Sequence, residues 1–173
     1  TERAVMTVKI GSIELKNRVV SAPMAGITDK AFRILAGEFG AALTFSEMVS
    51  DQALIYQNQR TLAMLDIGDE PVPTVVQIFG AVPDNMARAA RIVEEHGAPI
   101  IDINMGCPTP KIVKNGEGSA LMRDLDRARA VIRAVVEAVS VPVTLKMRKG
   151  WDSEHENYLE LGRIAEEEGV QAI

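Results

Sequence analysis

The sequence has few of the residues that build disulfides, metal sites or membrane spans. Its 173 residues include one cysteine, Cys107, which excludes an internal disulfide and favours a reducing, cytoplasmic setting. The two histidines, His96 and His155, do not have the spacing of metal ligands, so we predict no metal site. No apolar run is long enough to cross a bilayer, which predicts no membrane partner. The net charge is −5, so the chain also lacks the basic excess that is typical of nucleic-acid-binding proteins.

What the sequence does contain is a regular alternation of short apolar runs and amphipathic segments. The apolar runs are RVVSAPM, ALTFSEM, TVVQIFG, APIIDINMG and VPVTLKMR, and VQAI resembles the start of a sixth. Helices are predicted over 28–40, 83–97, 124–139 and 153–168, with a loop and helical stretch over 51–64. Short apolar strands that alternate with helices predict an α/β protein whose parallel sheet is covered by helices.

Two parallel-sheet architectures compete for this pattern. A doubly wound sheet carries a glycine-rich G-x-G-x-x-G turn after its first strand, and SAPMAGITD has none. A (β/α)8 barrel carries its chemistry at the C-terminal ends of its strands, and a whole barrel needs eight units. Polar residues do follow most of the predicted strands here: Ser46 and Glu47, Gln77, Asp102 and Asn104, Lys146 and Arg148. We therefore predict the N-terminal portion of a (β/α)8 TIM barrel, truncated after about five strands.

The helical segments also predict which side chains are buried. In 28–40, Thr28 is the predicted N-cap and Gly40 the stop. Apolar residues at helical spacing predict a buried stripe in each of three helices: Phe32, Leu35, Ala36 and Phe39; Met86, Ala89, Ala90 and Val93; Ala128, Val131, Ile132 and Val135. Asp66, Asp69 and Glu70 are interpreted as solvated surface.

Cys107 lies in a turn directly after a predicted strand. A free cysteine is most often a small buried hydrophobe, and this structural interpretation stays open. Asp102 and Asn104 precede Cys107, however, and such polar side chains would be costly in an apolar core. The loop that follows carries Lys111 and Lys114 together with two glycines, as a flap over a site would. A free thiol is mostly protonated at neutral pH, so Cys107 could donate a proton as well as act as a nucleophile.

Three other side chains interrupt apolar runs. Lys146 and Arg148 alternate with Thr144, which favours contact with a buried anion or an electron-rich ring over a solvated strand end. Gln77, within VVQIF, needs a hydrogen-bonding partner, which could be a core network or the edge of a heterocycle.

Five motifs together resemble the tRNA-dihydrouridine synthases, and the B branch of the bacterial enzymes most closely. They are APMAGITDKAFR, TFSEMVS, VQIFG, DINMGCP followed by GEGSAL, and VTLKMRKGW. The resemblance runs along essentially the whole chain in order, and the combination of DINMGCP with GxGSAL is specific. It implies that residues 1–173 are part of an FMN-binding TIM-barrel catalytic domain. The remaining strands and a C-terminal helical tRNA-binding domain would then be absent from this chain.

The resemblance also implies a reaction and a set of site residues. Members of the family reduce the 5,6 double bond of selected uridines in tRNA, with FMN as the cofactor and NADPH as the reductant. Hydride goes from the reduced flavin to C6 of the uracil, and a proton goes to C5. The matching positions are Cys107 for the catalytic acid, Pro23, Met24, Ala25, Gln77 and Lys146 for flavin contacts, and Asn104 and Arg148 for positions near the target uracil.

Two further expectations concern this chain by itself. The flavin phosphate of such barrels binds after strands 7 and 8, so we expect the chain alone to be inactive and to self-associate through open sheet edges. Two other functions remain open. One is a different FMN-dependent barrel, such as a dihydroorotate dehydrogenase or an old-yellow-enzyme relative, and the other is a non-catalytic half-barrel assembly module.

Overall fold

The computed structural model describes residues 8–173, which contain an antiparallel hairpin followed by a four-stranded parallel sheet with its helices. Strands β1 (Val8–Ile10) and β2 (Ile13–Leu15) form the hairpin. The parallel strands lie in chain order: β3 (Thr44–Ser50), β4 (Thr74–Phe79), β5 (Ile101–Met105) and β6 (Val143–Met147).

Helical segments connect the parallel strands. They are α1 (Lys30–Glu38), α2 (Asp51–Ile55), α3 (Gln59–Ala63), α4 (Pro83–Glu95), α5 (Pro110–Val113), α6 (Leu125–Ala138) and α7 (Tyr158–Glu167), with a 3₁₀ helix at Gly118–Arg123. In this part of the chain, none of the helices combines the length and the apolar character needed to span a bilayer.

Two further chain passes extend the sheet by single parallel bridges. Val20 pairs with Leu43 beside β3, and Ala172 pairs with Thr144 beside β6. The first and sixth predicted strands are therefore each represented by one bridge. Six passes lie side by side in sequence order, without the reversal of strand order that defines a doubly wound sheet. The prediction of a partial (β/α)8 barrel is confirmed.

The core lies between the parallel sheet and the helices α4 and α6. All eight residues predicted to face inward from these two helices are buried: Met86, Ala89, Ala90, Val93, Ala128, Val131, Ile132 and Val135. They pack against side chains such as Ile101 and Ile103 on the helix-covered face of the sheet. Full burial of a side chain of this size contributes about 1.5–3 kcal/mol, so this layer stabilises the strands that carry polar residues on their other face.

Helix α1 differs from its prediction. Its N-cap is Asp29, whose Oδ1 accepts from the Phe32 N–H at 2.9 Å, whereas Thr28 lies buried before the helix. The predicted apolar stripe is also wrong, because Leu35 is 54% and Phe39 89% exposed. Helix α1 turns Arg33 and Gly37 inward instead. It packs on the segment before β4, where a Cβ at Gly37 would lie 2.6 Å from Pro71.

A buried ion pair explains why α1 packs on its polar side. Arg33 Nη2 lies 2.6 Å from Glu70 Oε1, and the two side chains are only 4% and 2% exposed. Glu70 also accepts from Thr74 Oγ1 at 2.6 Å, and Arg33 donates to the Thr28 carbonyl at 2.9 Å. The interpretation of Glu70 as solvated surface is therefore wrong, while Asp66 and Asp69 are exposed as predicted.

Candidate active site

The concave face of the parallel sheet opens into a cleft of about 730 Å³. Three of the residues singled out in the sequence, Pro23, Lys146 and Arg148, line this cleft together with Asp102 and Thr144. The rest of the lining is largely apolar and includes Val20, Leu43, Phe45 and Tyr158. The strand period of two places these polar side chains on the face that the helices do not cover.

Buried polar side chains from three strands meet behind this cleft. Register pairs Gln77 with Asp102, and Asp102 with Thr144. Gln77 Nε2 donates to Asp102 Oδ2 at 2.6 Å, and Thr144 Oγ1 donates to Asp102 Oδ1 at 2.6 Å. Gln77 and Asp102 are each only 1% exposed. Gln77 was predicted to hydrogen-bond either to a core network or to the edge of a heterocycle. Among the described residues, the partners of its amide group are the side chains of Asp102 and Asn104, which form such a network.

Asn104 connects this network to the turn that carries Cys107. Its Nδ2 donates to Gln77 Oε1 at 2.8 Å. Its Oδ1 accepts from the backbone N–H groups of Gly106 and Cys107, at 3.1 and 2.9 Å. One side chain therefore holds the end of β5 and the start of the following loop in a single geometry.

Cys107 is partly exposed at the mouth of the sheet, not buried in the core. Its Sγ–H donates to Thr109 Oγ1 at 3.3 Å, and its carbonyl accepts from the Ser119 N–H at 3.0 Å. Gly118 has φ +59°, and a Cβ there would lie 2.6 Å from the Cys107 carbonyl oxygen. The GEGSAL segment thus folds back onto Cys107, and the close approach requires glycine.

Lys146 and Arg148 have exposed side chains at the C-terminal end of β6. Neither forms an ion pair with any residue in the range 8–173. Lys146 is the register neighbour of Asn104, so its side chain lies on the same face as the buried network. The two cations are available to a negatively charged or electron-rich ligand.

The Pro23, Met24 and Ala25 segment forms a turn at the rim. Pro23 lines the cleft, whereas Met24 and Ala25 are exposed and are not part of its lining. The Met24 carbonyl accepts from the Thr28 N–H at 3.0 Å, and Gly26 donates to the Glu47 carboxylate. The structure therefore brings one of these three predicted contacts to the cleft and holds the other two at its edge.

Asp102 is a buried carboxyl group at the base of the site. Burial raises its pKa to about 6, and this effect is opposed by hydrogen bonds from Gln77 and Thr144 and by the charge of Lys146. The sequence placed Asp102 at the mouth but did not identify it as a site residue. The available signal was its position two residues before Asn104 within an apolar run. Within residues 8–173, no three metal-ligating side chains cluster closely enough to hold an ion.

Comparison with known proteins identifies the family of this chain. The family model described as dihydrouridine synthase (Dus) matches residues 20–173. The chain belongs to the dihydrouridine synthase family. It is 50% identical to the tRNA-dihydrouridine synthase B of Klebsiella pneumoniae over 165 residues, which are 95% of this chain and 51% of that protein. It is 49% identical to the enzyme of the same name from Escherichia coli K12 over 166 residues, with 95% and 51% covered.

The chain spans about half the length of the curated relatives it matches. A solved structure, the histamine dehydrogenase from Rhizobium sp. 4-9, superposes with a TM-score of 0.59 at 13% identity. The match covers 91% of this chain and 34% of that one. At this identity the superposition supports the fold alone, and family membership rests on the sequence matches.

Proposed function

We propose that this chain contributes the flavin-binding and proton-donating half of a site that reduces specific uridines in tRNA to 5,6-dihydrouridine, with NADPH as reductant. The observation that carries the proposal is the position of Cys107. Its turn is held by Asn104 at the mouth of the sheet, on the face that also carries Gln77 and Lys146. Family membership favours this reaction over that of an FMN barrel with a small substrate.

The residues of the cleft fit a flavin ring. The lining is mostly apolar and concave, which suits a planar aromatic ligand. Behind the cleft, Gln77 Nε2 has a second N–H beyond the one that Asp102 accepts. At the cleft, Lys146 offers an ammonium group that makes no ion pair within residues 8–173. We infer that Pro23, Gln77 and Lys146 hold FMN, with Met24 and Ala25 at the rim. Bound reduced flavin would supply the hydride that uracil accepts at C6.

The charged and amide groups have distinct roles in this proposal. Lys146 would stabilise the negative charge of the reduced ring, because a nearby cation lowers the energy of an anion. Arg148 and Asn104 would hold the polar edge of the uracil. The target nucleotide would have to leave the tRNA stack to reach this cleft.

Cys107 completes the reaction as a general acid. Addition of hydride at C6 breaks the 5,6 double bond and leaves an enolate that must be protonated at C5. The Sγ–H bond of Cys107 breaks, its proton forms the new C–H bond at C5, and the thiolate recovers a proton from solvent. The partial exposure of Cys107 allows both the approach of the base and the reprotonation.

The test replaces Cys107 by Ala in the protein at its natural length. Flavin content and NADPH oxidation should persist, while uridine reduction should fall by about 10²–10⁴-fold, as expected for a missing general acid. Thr109→Ser is the matched control, since it changes the same turn but keeps the thiol and the hydroxyl that accepts its hydrogen bond. If Cys107→Ala reduced tRNA uridine at the parent rate, the thiol would not be the acid and the structural interpretation of Cys107 would hold.

We also propose that the 173-residue chain produced by itself self-associates and binds FMN weakly. Large apolar side chains are exposed at the two outer passes of the sheet and on the adjoining helices: Val20, Leu35, Phe39, Leu159 and Ile173. Contacts to the flavin ring alone must offset the cost of immobilising the ligand. Light scattering and an FMN titration test the two statements, and tight FMN binding by a monodisperse monomer would contradict both.

A further inference from the structure

The buried network behind the cleft is a chain of hydrogen bonds in which one end can only donate and the other end can only accept. At one end, the backbone N–H groups of Gly106 and Cys107 can only donate. At the other end, the Asp102 carboxylate can only accept when it is ionised. The side-chain amides of Gln77 and Asn104 connect the two ends, and each amide has one accepting and one donating side.

Only one orientation of the two amides satisfies both ends. Asn104 must turn its oxygen towards the two N–H groups, so its nitrogen faces Gln77. Gln77 must then turn its oxygen towards Asn104 and its nitrogen towards Asp102. Reversing Gln77 would place two donors opposite each other and an oxygen against the carboxylate. Buried, unsatisfied polar groups of this kind are costly, so the ends of the chain decide the orientation of the amides between them.

We propose that Asp102 is a positioning residue for Cys107, acting through Gln77 and Asn104. The proposal rests on the proposed function, in which Cys107 is the proton donor. Asp102 does not hydrogen-bond to the thiol, because its carboxylate accepts from Gln77 and Thr144. It orients Gln77, Gln77 orients Asn104, and Asn104 holds the two backbone N–H groups that define the Cys107 turn. At neutral pH the carboxylate is ionised, because burial raises its pKa only to about 6.

Thr144 makes this arrangement tolerant of one substitution and intolerant of another. A hydroxyl group can donate or accept. In Asp102→Asn, the new amide can accept from Gln77 through its oxygen and donate to Thr144 Oγ1 through its nitrogen, so the orientation of the chain is preserved. Asp102→Ala removes the acceptor altogether, and the Gln77 and Asn104 amides lose the group that orients them.

The test measures the alkylation of Cys107 by iodoacetamide in the natural-length protein without flavin or tRNA, read on the Cys107 peptide by mass spectrometry. Asp102→Ala and Asn104→Ala should each accelerate alkylation about fivefold, equivalent to about 1 kcal/mol. The double variant should be no faster than either single variant, because both break the same chain. Asp102→Asn should stay close to the parent, since it keeps the chain from Gln77 to Cys107.

Three results would overturn the proposal. The first is a double variant in which the two accelerations of Cys107 alkylation multiply. The second is an Asp102→Ala alkylation rate equal to that of the parent, and the third is an Asp102→Asn rate as fast as that of Asp102→Ala. Should circular dichroism show that Asp102→Ala is unfolded, Gln77→Leu takes its place in the same cycle and the same criteria apply. If the Cys107 alkylation rates of the variants show the expected coupling but the parent protein does not reduce uridine, the proposed function is overturned. The positioning role of Asp102 then still stands.

Discussion

Replacing Asp102 by Asn should change how the free energy of unfolding depends on pH. Burial raises the pKa of Asp102 from its ordinary value of 3.8 to about 6. Between about pH 4 and 6, the folded protein therefore keeps a proton that the unfolded chain has already released. The contribution of this group to stability is largest below about pH 4, falls as the pH rises through that window, and is constant above it. The full difference corresponds to about 3 kcal/mol.

The Asn variant keeps the shape of Asp102 and both of its hydrogen bonds if the Thr144 hydroxyl rotates, but it cannot ionise. The difference in unfolding free energy, variant minus parent, should therefore rise by about 3 kcal/mol between about pH 4 and pH 7. Carboxylates elsewhere contribute to both proteins and cancel in the difference. The measurement is urea denaturation followed by far-ultraviolet circular dichroism at closely spaced pH values.

A matched variant, Thr144→Val, sharpens this test. The hydroxyl of Thr144 donates to the Asp102 carboxylate and lowers the pKa of Asp102. In Thr144→Val that pKa should be higher, so the free energy of unfolding should depend more strongly on pH than in the parent. A difference between Asp102→Asn and the parent that stays flat across the window would refute the reasoning. A difference that falls with rising pH would show that the network stabilises the carboxylate more than burial destabilises it.

Three further predictions follow from buried contacts and from the cleft. Arg33→Met should lower the free energy of unfolding, measured by urea denaturation, by about 3–5 kcal/mol, because it leaves the Glu70 carboxylate buried without its cation. The double variant with Glu70→Met should recover part of this loss. No recovery would contradict the ion-pair explanation. Lys146→Met should weaken FMN binding or slow flavin reduction, measured by flavin fluorescence and absorbance; a loss of tRNA affinity alone would instead make Lys146 a substrate contact. Gly118→Ala should destabilise the protein by at least about 1–2 kcal/mol, because its φ is +59° and its Cβ would meet the Cys107 carbonyl; thermal unfolding at the parent temperature would argue against a tight turn.

Local patterns in the sequence were sufficient to predict the helices that pack directly on the sheet. The stripes on α4 and α6 were predicted correctly because both helices lie flat on the sheet, where helical periodicity and burial coincide. The alternation of short apolar strands with helices predicted the barrel architecture, because parallel strands need helices to connect them. The strand period also placed Asp102 with Asn104, and Thr144 with Lys146, on one face.

Contacts between distant segments decided the rest. Helix α1 buries Arg33 instead of Phe39, because Glu70 lies 37 residues away in sequence and only 2.6 Å away in space. Periodicity within a helix contains no information about such a partner. The same limit explains why charge density alone misplaced Glu70 at the surface.

The candidate site shows the division most clearly. The motif DINMGCP determines that Asp102, Asn104 and Cys107 follow one another along one strand and its turn. It does not determine that Gln77, from a different strand, stands between Asp102 and Asn104 in the hydrogen-bond chain. That order depends on the register of β4 against β5, which the packing of the whole sheet sets. Because a shift of one residue would turn Gln77 to the opposite face, only the tertiary structure could connect the buried carboxylate to the cysteine turn.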